Sequence, residues 1–374
     1  MENILFITNK IFIDDKQPEG GVRLCTYDFI NLLSCRYNVV IFPLEFNKSL
    51  LYRLKARMGI SVFEEYDVNS YKVSIVESIK ENNIKKVFLN LADTSLLASL
   101  IKKQFGDSIK VILCSHGNES GDFLHQSVRF KPFLPWIKRV TSPWRLGRIL
   151  QKELEFRLAY FDLILTVSEI EYALEYWLGA KHAFYVPRIF KPDYIPWNPV
   201  NGRLGFISDL SHYPNYYGIS SLCKAISEQP DLHNIEIRLV GKHCKNVDDL
   251  LEQYTFLSFV GYLDDAELRT EASTWMYYLN LVFYFSKGVS TKMAKGMNWG
   301  LPVISTIAGN RGYIFKQGGV VTATTPHQLA KIIKHRAFDR AMAKEDKDNV
   351  LLAVESYKDI NKIMDDLYPV IEKL

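Results

Sequence analysis

An α/β fold of two halves, each built on a parallel sheet, is what this chain predicts, on three observations. Short β-branched runs alternate with helical stretches, the alternation restarts after residue 200, and a proline-rich stretch separates the two series. The first series runs Asn3 to Thr8, Tyr37 to Pro43, Lys86 to Leu91, Lys110 to Cys114 and Leu163 to Val167. The second runs Leu204 to Ile207, Ile235 to Val240, Leu257 to Val260, Tyr277 to Val282 and Pro302 to Thr306. Strands joined through helices pair in parallel, because the crossover returns the chain to the same end of the sheet. Between the series, Pro187 to Pro199 holds four prolines and reads as an interdomain linker. The expected organisation is therefore a first domain over 1–195, a second over 196–349, and a helical tail over 350–374.

Composition agrees with this and excludes several classes. A chain of 374 residues is two domains of ordinary size, and 48% hydrophobic with 24% charged residues is a normal globular balance. A net charge of +4 calls for no polyanionic partner, and no segment resembles a nucleic-acid-binding module. Cys25, Cys35, Cys114, Cys223 and Cys244 are odd in number and lack metal-type spacing, which predicts reduced thiols in a cytosolic protein and no metal site. The opening MENILFITNK has an acid at its second residue and none of the features of a signal peptide, so it reads as the first strand. No run of about 18 apolar residues occurs, so any membrane contact is expected to be peripheral.

The stretch with most chemistry is KGVSTKMAKGMNWGLPVISTIAGNRG, Lys287 to Gly312. It reads as a loop, a helix, a Gly-Pro break and a buried strand. Gly288, Ser290 and Thr291 form a small-residue loop whose amides can lie against an anion, the following helix aims its positive end there, and Lys292 adds a cation. Gly300-Leu301-Pro302 then stops the helix.

Other segments are weaker alone. Glu19-Gly20-Gly21-Val22-Arg23, between the first strand and a helix, fits either a phosphate-approaching turn or an ordinary one, with no G-x-G-x-x-G beside it. His116 follows a buried strand in VILCSHGNES, at the sheet edge where α/β ligands collect, and reads as either a site residue or a satisfied loop histidine. Ser208 and Asn215 lie in GFISDLSHYPNYYG, which is also what an exposed turn contains. Lys242 ends the strand Leu239-Val240-Gly241, and Asp264-Asp265 reads as a helix cap.

Taken together these segments resemble family 4 (group 1) glycosyltransferases of the GT-B fold, motif after motif along most of the chain. LQKELEFRLAYFDLILTVS, from Leu150 to Ser168, adds the family's helix-Glu, Asp and strand-Ser pattern, in which Glu153 and Asp162 read as structural. The resemblance implies two Rossmann-like domains with parallel sheets facing a cleft, acceptor side first and donor side second, and a C-terminal helix crossing back to the first domain. It implies a hexosyltransferase-type enzyme moving a sugar from a nucleotide-sugar to a saccharide or lipid-linked saccharide. Retention of configuration, a role in cell-surface polysaccharide biosynthesis and a cytoplasmic location come with it. His116 and Lys292 are its expected catalytic residues. Gly20, Gly21, Ser208, Asn215, Lys242, Lys287, Gly288, Ser290, Thr291 and Lys295 are its expected donor contacts. No metal or other cofactor is implied, because the protein supplies the positive charge.

One departure stands out. The family's usual Glu-x7-Glu is here Lys287 and Lys295, and an ammonium donates where a carboxylate would accept from the ribose. Either the extra cations meet an acidic sugar, a phosphate or a neighbouring carboxylate, or the chain is a non-catalytic GT-B-fold scaffold of a glycan-assembly complex. An epimerase of the same fold is a third reading, and differs in needing no acceptor.

A last signal is RFKPFLPWIKRVTSPWRLGRILQK, from Arg129 to Lys152. Arg129, Lys131, Lys138, Arg139, Arg145, Arg148 and Lys152 are interleaved with Phe133, Trp136 and Trp144, with no acidic residue among them. That composition suits the inner face of an anionic membrane and equally suits an irregular, partly buried insertion.

Overall fold

The computed structural model describes residues 1–14, 16, 20–129, 135–229, 232 and 234–374. Glu19 of the glycine loop, and Lys131 and Phe133 of the basic segment, lie outside the described residues. The chain divides into two units, one formed by Met1–Ile189, Ser286–Val289 and Lys358–Leu374, the other by Phe190–Phe285 and Ser290–Tyr357.

The first unit contains β1 (Glu2–Asn9), α1 (Gly21–Ser34), β2 (Tyr37–Leu44), α2 (Leu50–Met58), α3 (Val68–Glu81), β3 (Lys86–Asn90) and α4 (Ser95–Phe105). It continues through β4 (Lys110–Ser115), α5 (Glu119–Arg129), α6 (Trp136–Ala159), β5 (Leu163–Thr166), α7 (Glu169–Trp177) and β6 (Ala183–Tyr185). Its six strands form one sheet in the order β2-β1-β3-β4-β5-β6, every pair parallel. The central strands are buried along their length, as a sheet covered by helices on both faces requires.

The second unit contains β7 (Arg203–Ile207), α8 (Tyr213–Ser227), β8 (Glu236–Val240), α9 (Lys245–Gln253), β9 (Leu257–Gly261), α10 (Asp265–Ser273) and β10 (Tyr277–Asn280). After these come α11 (Thr291–Asn298), β11 (Val303–Thr306), β12 (Val321–Ala323), α12 (Pro326–Arg336) and α13 (Arg340–Ser356). Its sheet has the order β12-β11-β10-β7-β8-β9, again parallel throughout. The core here gathers Leu204, Phe206, Ile237, Leu239, Leu279 and Ile304 from the strands against Ile219, Leu222 and Ile333 from the helices. Asp264 caps α10 in a reciprocal capping box with Glu267, as the sequence suggests.

The final helix, α14 (Ile360–Glu372), packs on α1 in the first unit. Glu372 receives the Tyr37 hydroxyl at 2.6 Å and the Lys86 ammonium at 3.0 Å, and Arg36 pairs with Asp365 at 2.6 Å. The C-terminal helix thus returns to the first sheet.

The structure differs from the sequence reading at the strand ends and joints. The three-residue strands β6 and β12 are not in either predicted series; both are sheet edges, with one paired side and little apolar patterning. The proline-rich stretch has no regular structure but is pinned from residue 191 onward, where the Lys191 amide donates to Asn298 Oδ1 at 2.9 Å. Its amides at Asp193 and Ile195 donate to the carbonyls of Asn298 and Trp299, at 2.8 and 3.1 Å, which is why Phe190 onward belongs to the second unit.

Candidate functional site

The C-terminal edge of the second sheet positions one cluster. Ser290 is the N-cap of α11: its hydroxyl accepts from Met293 N at 3.4 Å and donates to Asn280 Oδ1, at the end of β10, at 3.3 Å. Asn280 is held in turn by Ser305 Oγ and the Gly309 carbonyl, and Tyr313 donates its hydroxyl to the Ser290 carbonyl at 2.5 Å. The first-turn amides of a helix lack intrahelical acceptors, so this buried network fixes a positive helix end beside β10 and β11.

Lys292, the second residue of α11, donates its ammonium to Asn215 Oδ1 and, at 3.3 Å, to Ser208 Oγ. It also lies 5.4 Å from the centre of the Phe206 ring. Ser208 directly follows β7. Asn215 lies in the first turn of α8, its amide nitrogen spent on the Asp209 carbonyl at 2.8 Å, which leaves its oxygen toward the lysine. Burial, aided by Arg311 and opposed by Asp209, pushes the Lys292 pKa down to about 7. An arriving anion favours the charged form and draws the pKa back up. The expected outcome is that a nucleoside diphosphate binds with proton uptake above pH 7, so its affinity falls as pH rises from about 7 toward 9. Titration calorimetry in buffers of different ionisation heat reads the proton directly; equal heats in all buffers at pH 8 would contradict it.

The other two basic positions of this unit do not join the cluster's hydrogen bonds. Lys242 is exposed beyond β8, and the Lys295 ammonium lies 4.9 Å from the Trp299 ring centre as a cation–π contact.

In the first unit a second polar cluster lies at the ends of β3 and β4. His116 is buried; its Nε2 lies 2.8 Å from Asn90 Oδ1, and the Asn90 amide donates to Thr8 Oγ1 and Thr26 Oγ1 at 2.8 and 2.9 Å. Because Asn90 presents its oxygen, Nε2 carries the hydrogen and Nδ1 is a bare acceptor, without a hydrogen-bond partner among the described residues. Burial, with Lys287 and Arg188 adding to it, lowers the His116 pKa to about 3, so the ring is neutral across the physiological range.

Gly288 and Gly117 bring two loops together here. Both have left-handed φ, +73° and +129°, and a Cβ on Gly288 would fall on the His116 carbonyl oxygen. The Glu171 carboxylate bridges them, accepting Gly288 N at 2.7 Å and Asn118 N at 3.1 Å. The Gly288 amide, expected to face a phosphate, is thus spent on a carboxylate. Lys287 pairs with Glu119; burial opposes its charge, but Glu119, with Asp122 and Asp93, raises its pKa above the ordinary lysine value. Of the alternatives for this lysine, the structure displays the neighbouring carboxylate. Gly20 caps α1 with an extended φ of −131° that any residue adopts, a side chain there would meet nothing within 4 Å, and Gly21 opens the helix. Neither glycine is needed for its backbone angles.

Glu153 is structural, as its sequence context suggests: fully buried in α6, it accepts Glu119 N at 3.0 Å and the Asn118 side-chain amide at 3.3 Å, tying down the start of α5. Asp162 likewise accepts Val111 N at 2.8 Å and pairs with Lys102 at 2.8 Å.

Sequence reasoning missed Asp93. It lies two residues after Leu91, a non-glycine residue at φ +74°, ψ 148°, a conformation that costs on the order of 1–3 kcal/mol and concentrates at functional sites. Burial, then Glu119 and Glu65, raise its carboxyl pKa to about 8, against the pull of Lys287. The signal in the sequence, an Asp in LNLADTS just past a buried strand, is weak because its neighbours Tyr66 and Glu119 are remote in the chain.

Comparison with known proteins identifies the second unit. Residues 201–337, from just before β7 to the end of α12, match the family model described as glycosyl transferases group 1. That match covers most of the second unit's sheet and helices. None of the curated proteins matches the sequence. Among solved structures, sucrose-phosphate synthase from Thermosynechococcus elongatus is similar over 100% of this chain and 99% of its own, with a TM-score of 0.73 and 14% identity. Anabaena Alr3699/HepE in complex with UDP-glucose is similar over the whole of both chains, at a TM-score of 0.66 and 16% identity. The lipopolysaccharide outer core galactosyltransferase WaaB, in its apo form, also matches over the whole of both chains, at 0.64 and 13%. At these identities the likeness establishes the fold, the GT-B fold with its two Rossmann-like domains. The segment that matches the group 1 model contains the Ser208–Asn215–Lys292 cluster and the α11 N-terminus.

Proposed function

We propose that this protein is a nucleotide-sugar-dependent glycosyltransferase, and the observation that carries the reading is Lys292, set between Ser208 and Asn215 beside the positive end of α11 inside the segment that matches the group 1 model. The donor diphosphate is held there. As the bond between the anomeric carbon and the phosphate oxygen breaks, its electron pair goes to the diphosphate. Protonated Lys292 and the α11 amides stabilise that growing charge more than they stabilise the intact donor, which is differential transition-state binding. The acceptor, bound by the sheet edge of the first unit, bonds the anomeric carbon through a hydroxyl oxygen whose proton passes to the departing diphosphate. In the first unit His116 Nδ1, neutral and unprotonated, accepts a hydrogen bond from a sugar hydroxyl, Glu119 offers a carboxylate, and Asp93, protonated below about pH 8, offers a donor.

That UDP-glucose occupies the HepE structure supports a nucleotide-sugar as donor here. A saccharide or lipid-linked saccharide acceptor, retention of configuration and a cytoplasmic role in cell-surface polysaccharide assembly complete the reading. Donor contacts at Gly20, Gly21, Ser290 and Thr291 belong to it, through backbone amides at two helix starts. Lys287 enters as the partner of Glu119, and Lys242 and Lys295 as peripheral cations.

The test is release of nucleoside diphosphate from a panel of nucleotide-sugars with and without saccharide acceptors. Acceptor-dependent release is expected, and interconversion of the sugar without acceptor would instead identify an epimerase. Because His116 is neutral, the rate should show no limb near pH 6.5, and His116→Ala should lower kcat/KM about tenfold or more without moving the Lys292-dependent limb above pH 7. A limb near 6.5 that disappears in His116→Ala would assign the ring a proton-transfer role and overturn its place as an acceptor.

A further inference from the structure

Two helices of the first unit that touch each other each present several large exposed apolar side chains. α2 presents Leu50, Leu51 and Leu54, and α6 presents Trp136, Val140 and Trp144, the first of each about three-quarters exposed at 73% and 74%. Positions 136, 140 and 144 form one i,i+4 stripe, as do 50 and 54. The helices meet where Thr141 Oγ1 donates to the Met58 carbonyl at 3.1 Å, and Gly59, left-handed at φ +71°, packs against Thr141 and Lys138.

Their charge has one sign. α2 carries Arg53, Lys55 and Arg57, residues 136–152 of α6 carry Lys138, Arg139, Arg145, Arg148 and Lys152, and neither stretch holds an Asp or Glu. Arg53, Arg57, Arg139 and Arg148 are exposed. No helix among the described residues is long and apolar enough to cross a membrane.

We propose that α2 and the first half of α6 form one docking face for an anionic membrane surface. Leucines and tryptophans sink to headgroup depth while the arginines meet lipid phosphates, as in helices that lie in the plane of a bilayer. A second copy is a poorer occupant, because a two-fold pairing of this face would set like charges against like. Exposed leucine pairs serve no purpose against nucleic acid. The inner sides of the same helices contribute Tyr52 and Arg145, both within electrostatic reach of Glu65; Tyr52 also senses Asp93 and Arg145 senses Glu119. The face therefore borders the edge assigned to the acceptor, so an acceptor with a lipid tail would be met from the bilayer. This corollary rests on the transferase reading, whereas the docking does not.

The experiment is co-sedimentation of the full chain with vesicles of phosphatidylcholine alone or mixed with phosphatidylglycerol. Binding is expected only to the mixed vesicles, weakening with salt, and the partition coefficient should drop about tenfold or more in Leu51→Glu/Trp136→Glu and in Arg53→Glu/Arg57→Glu. Circular dichroism checks that both variants fold, and unchanged nucleotide titration separates loss of docking from loss of the donor site. Failure of the folded wild type to bind mixed vesicles, or equal binding by wild type and both variants, overturns the proposal. So does a concentration-dependent dimer that Leu51→Glu/Trp136→Glu abolishes, which would assign the face to a second copy.

Discussion

Replacing Lys292 by alanine is expected to weaken nucleoside diphosphate binding roughly ten- to hundredfold and to remove its pH dependence above 7, since a hydrogen bond to a charged group is worth about 1.5–3 kcal/mol and each 1.4 kcal/mol is tenfold. The amine already donates to Ser208 and Asn215, so the substitution also unpairs two buried oxygens. Lys292→Met, which keeps the apolar stem over Phe206, controls for packing and should lose affinity to the same degree. Lys295→Ala should change affinity far less, because its ammonium sits on Trp299, and so should Lys287→Ala, whose charge is matched to Glu119. If Lys292→Ala binds as tightly as wild type while Lys295→Ala does not, the donor phosphates have been assigned to the wrong lysine.

Removing the carboxylate of Glu175 should destabilise the first unit by about 3–5 kcal/mol, the cost of leaving a buried charge unpaired. Arg157 and Glu175 are both fully buried and joined by two bonds at 2.7 and 2.8 Å. Arg157 also reaches the Glu153 carbonyl at 3.4 Å, and the Glu153 side chain holds Glu119 N, so the damage should travel to the loop that carries His116 and Glu119. Urea unfolding of Glu175→Ala measures the loss. The double replacement Arg157→Met/Glu175→Leu should recover most of it, because apolar side chains of similar size need no partner. A single variant within about 1 kcal/mol of wild type would mean that water or a rearranged neighbour satisfies the guanidinium.

Reading the sequence located what local pattern controls. Buried strands such as KVFLN and VILC carry their own signal, and so does the loop-helix-Gly-Pro-strand order from Lys287, because each piece is recognisable without its partners. Ser208, Asn215 and Lys292 were legible as candidates through the family resemblance, and the fold brings these three together. Legibility ended where a residue's role depends on contacts remote in sequence. Lys287 looked like a free cation for a donor until the fold set Glu119 against it, 168 residues earlier in the chain. Gly288 looked like a phosphate amide until Glu171 claimed its hydrogen. Asp93 drew no notice, because its raised pKa comes from burial and from carboxylates on other loops. The apolar face of α2 was missed for a different reason: LLYRLKARM is amphipathic as a core-packing helix would be, and only the structure leaves its leucines in solvent.

The central claim is that the segment matching the group 1 model binds a nucleotide-sugar diphosphate at Lys292. Its most direct test is calorimetric titration of the purified chain with UDP, GDP, CMP, ADP and dTDP at pH 8 in two buffers of unlike ionisation heat. The predicted result is saturable binding of one nucleoside diphosphate, with proton uptake that is absent in Lys292→Ala. Binding of none of the five, in a protein that is folded, would contradict the account and favour the non-catalytic scaffold.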